Sequence, residues 1–199
     1  MKMTTQNQKP RTASSFWLAS VALCSLHTSQ TGLAQSATTP SEPPAVVQEV
    51  DLGRYIGKWY EIASNRPDFQ KDCFCTTAEY SLIDAAAPTI GVRNSCNRGS
   101  PSGPRTIADG RATIPDLSTP AKLSVSFRGP FPAEPNYWIV SLADDYSYAV
   151  VSSAERKPIF ILARQRQLSA SVNANILADL ALRGFDTSIL DYSGQIGCN

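Results

Sequence analysis

The sequence predicts an all-β domain of eight antiparallel strands followed by one helix. Three observations carry this. After Asp51 the chain is a series of short segments in which apolar residues alternate with polar ones, rich in Val, Ile, Tyr, Phe and Thr. Clusters of Pro, Gly, Asn and Asp separate these segments. Beyond Arg164 the apolar period changes from that of a strand to that of a helix.

In chain order the expected strands run from Gly57 to Asn65, Thr76 to Ile83, Thr89 to Asn97, Arg105 to Ile114, Ala121 to Arg128, Asn136 to Leu142, Tyr146 to Ser152 and Pro158 to Arg164. The turn signals between them are Ala87-Pro88, Pro101-Ser102-Gly103-Pro104, Pro115-Asp116, Gly129-Pro130, Asp144-Asp145 and Arg156-Lys157-Pro158. Val172, Ile176, Leu177, Leu180 and Ala181 then recur at helical spacing, with Ser169 as N-cap and Gly184 as the stop. Eight such strands form either two stacked sheets or one closed barrel. Closure would remove exposed edges, but periodicity alone does not choose between the two.

The first 50 residues of the 199 do not read as folded protein. Lys2, Lys9 and Arg11 form a basic start, and Phe16 to Leu26 is an apolar run too short to span a bilayer. Residues 1–34 are therefore expected to be a signal peptide, cut after Gly32-Leu33-Ala34, and the protein to be exported to a periplasm or secreted. Cys24 raises the alternative of an outer-membrane lipoprotein, but Leu23 stands where a lipoprotein peptidase needs a small residue. Residues 35–50, rich in Pro, Ser, Thr and Ala, read as a disordered arm, and 51–199 as the folded domain.

From Gln35 onward there are 15 Lys and Arg against 17 Asp and Glu and no basic block, which argues against a nucleic-acid partner. Cys73, Cys75, Cys96 and Cys198 make an even set, which in an exported chain points to two disulfides with three possible pairings. The rival, a metal site suggested by Cys73-Phe74-Cys75, lacks partners, because the only histidine, His27, is in the leader. That same lack removes imidazole bases and Ser-His or Cys-His pairs, so no catalytic residue is assigned and no cofactor is expected.

Gly57-Lys58-Trp59-Tyr60-Glu61-Ile62-Ala63 resembles the G-x-W signature that opens a lipocalin barrel. Leu142-Ala143-Asp144-Asp145-Tyr146 and Ile161-Leu162-Ala163-Arg164 are similar to that family's other two motifs, in the right order. Thr77 to Leu82, Lys122 to Phe131 and Gly184 to Ser188 look like the bacterial lipocalin and apolipoprotein D-like branch. The resemblance covers about residues 51–192 and implies an up-and-down eight-stranded barrel with the C-terminal helix packed outside. It implies that Trp59 plugs the closed end with Arg164 lying across it, so Gly57, Trp59, Asp145, Tyr146 and Arg164 are expected to serve the fold. It also implies the pairing Cys75–Cys198, which leaves Cys73–Cys96. Tying the tail to the barrel wall this way would contribute roughly 3 to 5 kcal/mol in the chain-entropy estimate.

Strand alternation, phased on an inward Trp59, nominates a cavity lining. It comprises Ala63, Ala78, Tyr80, Val92, Asn94, Ala108 and Ala112, continued by Val125, Phe127, Tyr137, Val151, Phe160 and Leu162. These side chains could equally fill a solid barrel; the alanines, with Gly91 and Gly110, favour a hollow. An apolar wall with Tyr80, Asn94 and Tyr137 suits an amphiphile with its tail buried and its head near the mouth. The resemblance implies a fatty acid or lysophospholipid as partner, carried by a monomer or weak dimer near a membrane. Arg66, Arg93, Arg98 and Arg128 are candidate head-group contacts or ordinary solvated charges. The alternatives are a lipid-modifying enzyme using Cys96 or a carboxylate such as Glu61 or Glu79, and a solid, ligand-free envelope interaction module.

Overall fold

The computed structural model describes residues 42–84 and 89–198. The expected signal peptide, Cys24, the first part of the arm and the Ala87-Pro88 turn lie outside the described residues. A short helix α1 (Leu52–Tyr55) leads into β1 (Gly57–Ser64), β2 (Cys73–Asp84), β3 (Thr89–Arg98) and β4 (Arg105–Thr113). Then come β5 (Lys122–Ser126), β6 (Tyr137–Leu142), β7 (Tyr148–Ser152) and β8 (Phe160–Ala163), followed by α2 (Ala170–Leu182) and a two-residue β9 (Asp191–Tyr192). The eight expected strands and the helix are all present, with ends shifted by a few residues.

From β1 to β8 each strand pairs antiparallel with the next, β8 pairs back with β1 so that the sheet closes on itself, and β9 adds to β1. This decides for a barrel over a sandwich. Its interior packs around Trp59, Tyr80, Ile90, Leu123, Ile139, Val151 and Leu162. A second apolar layer lies outside, where Ile176 and Leu180 of α2 pack with Ile62, Val140, Val150, Ile159 and Ile161. α2 starts where Ser169 Oγ accepts from Val172 N–H at 3.3 Å, and Gly184 follows it with φ +75°. That left-handed conformation ends a helix at little steric cost for glycine.

β1 and β2 are hydrogen-bonded only from Gly57 opposite Tyr80 to Tyr60 opposite Thr77, and beyond that the chain's tail occupies the seam between them. Ser193 N–H donates to Ile62 O at 2.8 Å and Cys75 N–H to Gly194 O at 3.0 Å. Gln195 Nε2 donates to Glu61 O on one side, at 2.9 Å, and to Thr76 O on the other, at 2.8 Å. The backbone groups that the splayed strands would leave unpaired are thus satisfied by the tail. Disulfides join Cys75 to Cys198 and Cys73 to Cys96, with Cα separations of 5.6 and 5.4 Å.

The arm differs from its expectation over residues 42–50. Val47 N–H donates to Ile139 O at 3.0 Å, Arg183 donates to Ala45 O at 2.6 Å, and Val46, Val47 and Val50 pack on the barrel. A disordered reading rested on Pro-rich composition, but three valines and a β6 carbonyl are enough to hold the segment.

Candidate ligand cavity

The closed end of the barrel is built around one indole. Trp59 is fully buried, its Nε1–H donates to Tyr55 O at 2.8 Å, and the Arg164 guanidinium lies 3.7 Å from the ring centre. Arg164 also donates to the carbonyls of Arg54, Tyr55, Ile56 and Lys58, which anchors the C-terminal end of α1. Gly57 sits beside it at φ +95°, and a Cβ there would come within 3.4 Å of Arg164 Nη1. The motif glycine is therefore favoured by its backbone conformation, while the arginine would stand in ordinary contact with an added Cβ. The other end of α1 is gripped by the 144–146 turn: Asp51 N–H donates to the Tyr146 hydroxyl, and Arg54 stacks 4.1 Å over the Tyr146 ring while donating to Asp144 O. Asp145 accepts from Ser147 N–H at 2.9 Å, which helps hold its carboxyl below the usual range.

Above this floor is a cavity of about 390 Å³. Ala78, Tyr80, Val92, Asn94 and Val125 contribute to its wall, as do Phe127, Tyr137, Val151, Phe160 and Leu162. Its size lies within the range of small-molecule sites. An adjoining cavity of about 380 Å³ shares Phe69, Gln70, Thr76, Asn94 and Phe127 with it. Ala108 lines this second space, which also holds Arg98 and Arg128. Ala112 is interior but deeper, beside a small hole of about 10 Å³ with Tyr55, Ile90 and Leu123.

Ala63 requires a correction. A register shift between Glu61 and Ala63 breaks the alternation in β1, and Ala63 packs in the outer layer with Ile161 and Leu180. A bulge of this kind turns the following residue to the opposite face. The glycines do not create the hollow either. A Cβ on Gly91 would meet Ser81 and the exposed Ile83, and one on Gly110 would come within 2.8 Å of the Phe127 ring.

Glu61 and Gln70, with Phe69, Thr76, Thr77 and Asn136, complete the wall together with Ser153, Glu155, Lys157 and Pro158. Glu61 and Thr76 stand in the same phase as Trp59 and Ala78, so alternation could have found them. Phe69 and Gln70 lie on a single 3-10 turn (Asp68–Gln70), and the residues from Ser153 to Pro158 lie between β7 and β8, where strand alternation does not reach. Glu61 is buried and accepts hydrogen bonds from Gln70 Nε2 at 2.9 Å, Ser64 Oγ at 3.1 Å and Ser193 Oγ. Burial nevertheless dominates and pushes its carboxyl up from the ordinary glutamate value.

Among the candidate cations, Arg98 and Arg128 line the second space, and Arg98 is partly engaged by Phe69 O at 3.1 Å. Arg66 pairs with Asp191 and Arg93 with Asp109, both at 2.7 Å, so these two are occupied by acids of the chain. Asn94 Oδ1 is buried without a hydrogen-bond partner at the wall between the two spaces. Among the described residues no group of three or more His, Cys, Asp and Glu is arranged to hold a metal.

Residues 50–195 match the model of the lipocalin-like domain. The chain is 35% identical over 167 residues to the outer membrane lipoprotein Blc of Escherichia coli K12, covering 83% of this chain and 90% of that protein. It is 32% identical over 163 residues to rabbit (Oryctolagus cuniculus) apolipoprotein D, covering 78% and 82%. Among solved structures, insecticyanin of the tobacco hornworm Manduca sexta superposes with a TM-score of 0.59 at 22% identity, over 78% of this chain and 85% of that one. Lobster apocrustacyanin A1 does so with 0.55 at 18%, over 79% and 93%. At these identities the two structures speak for the fold alone.

Proposed function

The chain belongs to the lipocalin family, a ligand-binding fold, and from that premise we propose that it is an exported carrier or store for a fatty acid or lysophospholipid held in the barrel cavity. The observation that carries this reading is the 390 Å³ space, in which an apolar wall of Val92, Val125, Val151, Phe160 and Leu162 stands beside polar side chains such as Glu61, Gln70, Asn94 and Lys157. Each methylene moved from water into such a wall contributes about 0.8 kcal/mol, so an acyl chain can bind without an ion pair. Arg98 and Arg128 beside the second space suit an anionic head group, and the unpartnered Asn94 Oδ1, an acceptor, suits a hydroxyl donor such as that on the glycerol of a lysophospholipid. The protein performs no chemistry in this reading. It works as a monomer or weak dimer in a periplasm or outside the cell, released by cleavage near Ala34.

The test is native mass spectrometry of the mature protein before and after mild acid, followed by titration with palmitate and lysophosphatidylcholine. One acyl lipid released per chain, with binding weakened at least about tenfold in Ala78→Trp, is the expected outcome, because the indole fills the space. An empty protein that binds neither lipid would overturn the carrier reading in favour of a solid interaction module.

A further inference from the structure

Three tyrosine hydroxyls meet at the deep end of the cavity. Tyr137 OH lies 2.7 Å from Tyr55 OH and 2.9 Å from Tyr80 OH. The rings pack around this point, Tyr55 against Trp59 at 5.2 Å and Tyr80 edge-on to Tyr137 at 6.0 Å. Tyr80 and Tyr137 both wall the 390 Å³ space, whereas Tyr55 lies below them on the floor.

A proton count shows what the cluster lacks. Three hydroxyls carry three protons, and each contact between them uses one. The two contacts leave one proton over, whichever way the chain of hydrogen bonds runs, and no other acceptor among the described residues is hydrogen-bonded to these oxygens. Burial raises Tyr80 to about 12 and Tyr55 and Tyr137 well above their ordinary value, so all three protons stay in place at neutral pH. A buried donor without an acceptor is costly, and the open side of this cluster is the ligand space.

We propose that the Tyr55–Tyr137–Tyr80 cluster is a recognition site for an uncharged acceptor oxygen on the end of the ligand that enters first, so that the cargo is an oxygenated amphiphile such as a keto-lipid. This rests on the carrier reading and deepens it. It changes the expected orientation from a plain hydrocarbon tail at the floor to a chain whose inner end carries a carbonyl. The neutral tyrosines disfavour a carboxylate there, because no compensating cation lines the space at that depth; Arg164 is committed to four carbonyls on the far side of Trp59.

The probes are 2-tridecanone carrying ¹³C at the carbonyl and tridecane, each displacing N-phenyl-1-naphthylamine from the mature protein. The carbonyl stretch of bound ketone is expected below its position in a hydrocarbon solvent. In Tyr80→Phe/Tyr137→Phe it should return to that position, and the ratio of ketone to hydrocarbon affinity should fall about three- to tenfold, as one neutral hydrogen bond allows. Tridecane binding reports whether the variant keeps its cavity, and the wild-type carbonyl band decides the matter alone if the variant does not fold. An unshifted band in the wild type, with both probes bound, overturns the recognition site and leaves the carrier reading standing. Failure of both probes to displace the dye overturns the recognition site, and the palmitate and lysophosphatidylcholine titration decides the carrier reading separately.

Discussion

Glu61 is the residue at which burial and hydrogen bonding compete most directly. Three donors favour its charged form, yet loss of water outweighs them and the folded-state pKa lies above the unfolded one. The folded protein therefore holds this proton more tightly than the unfolded chain. Its contribution to stability is complete below the ordinary glutamate value and is lost as pH rises through the raised value. Glu61→Gln keeps an acceptor for Ser64 and Ser193 but has no proton to lose. The expected result is a melting temperature that declines as pH rises above the ordinary glutamate range in the wild type and declines less in the variant; parallel profiles would show that Glu61 does not carry the effect. The same residue marks a limit of reading strands by alternation. An inward Trp59 puts both Glu61 and Ala63 inward by simple parity, but the bulge between them sends Ala63, the residue that alternation nominated, outward. A bulge has no signature in a row of side-chain types, because it is set by how the neighbouring strands pair.

The element that completes the barrel wall beyond the eight strands is the C-terminal tail. It fills the seam where β1 and β2 part, and Cys75–Cys198 fastens it across a separation of 123 residues, against 23 for Cys73–Cys96. In the chain-entropy estimate the longer loop is worth about 5 kcal/mol and the shorter about 1.5 kcal/mol less. Urea unfolding of Cys75→Ser/Cys198→Ser should show the larger loss, with faster amide exchange at Cys75 and Ser193, whose N–H groups bond across the seam. If Cys73→Ser/Cys96→Ser proves the more damaging, the tail is not held by its disulfide in the way described. That the four cysteines from Cys73 to Cys198 form two bonds was expected from their even number; the pairing was implied by resemblance alone. The role of Gln195, donating to a carbonyl on each strand, had no sequence signal, since a glutamine near a terminus looks like any solvated residue.

At the scale of the whole molecule, residues 42–50 just before α1 belong to the barrel. A truncated chain beginning at Gln48 loses the Val47 bond to Ile139, the Arg183 bond to Ala45 and the packing of Val46. Its stability should fall by about 1 to 3 kcal/mol in urea unfolding while palmitate affinity stays unchanged. An unchanged midpoint would mean that these contacts contribute nothing net. The amino-acid sequence by itself determined the eight strands, the single helix with its Ser169 cap and Gly184 stop, and most of the inward face. Each of these is a local periodicity or a local turn chemistry written in neighbouring residues. Tertiary structure alone decided which strands meet to close the barrel, where the bulge reverses β1, how the tail seals the seam, and that three tyrosines from α1, β2 and β6 share their hydroxyls. Such contacts join residues far apart in the chain, and their strength depends on distances and burial that only the closed sheet creates.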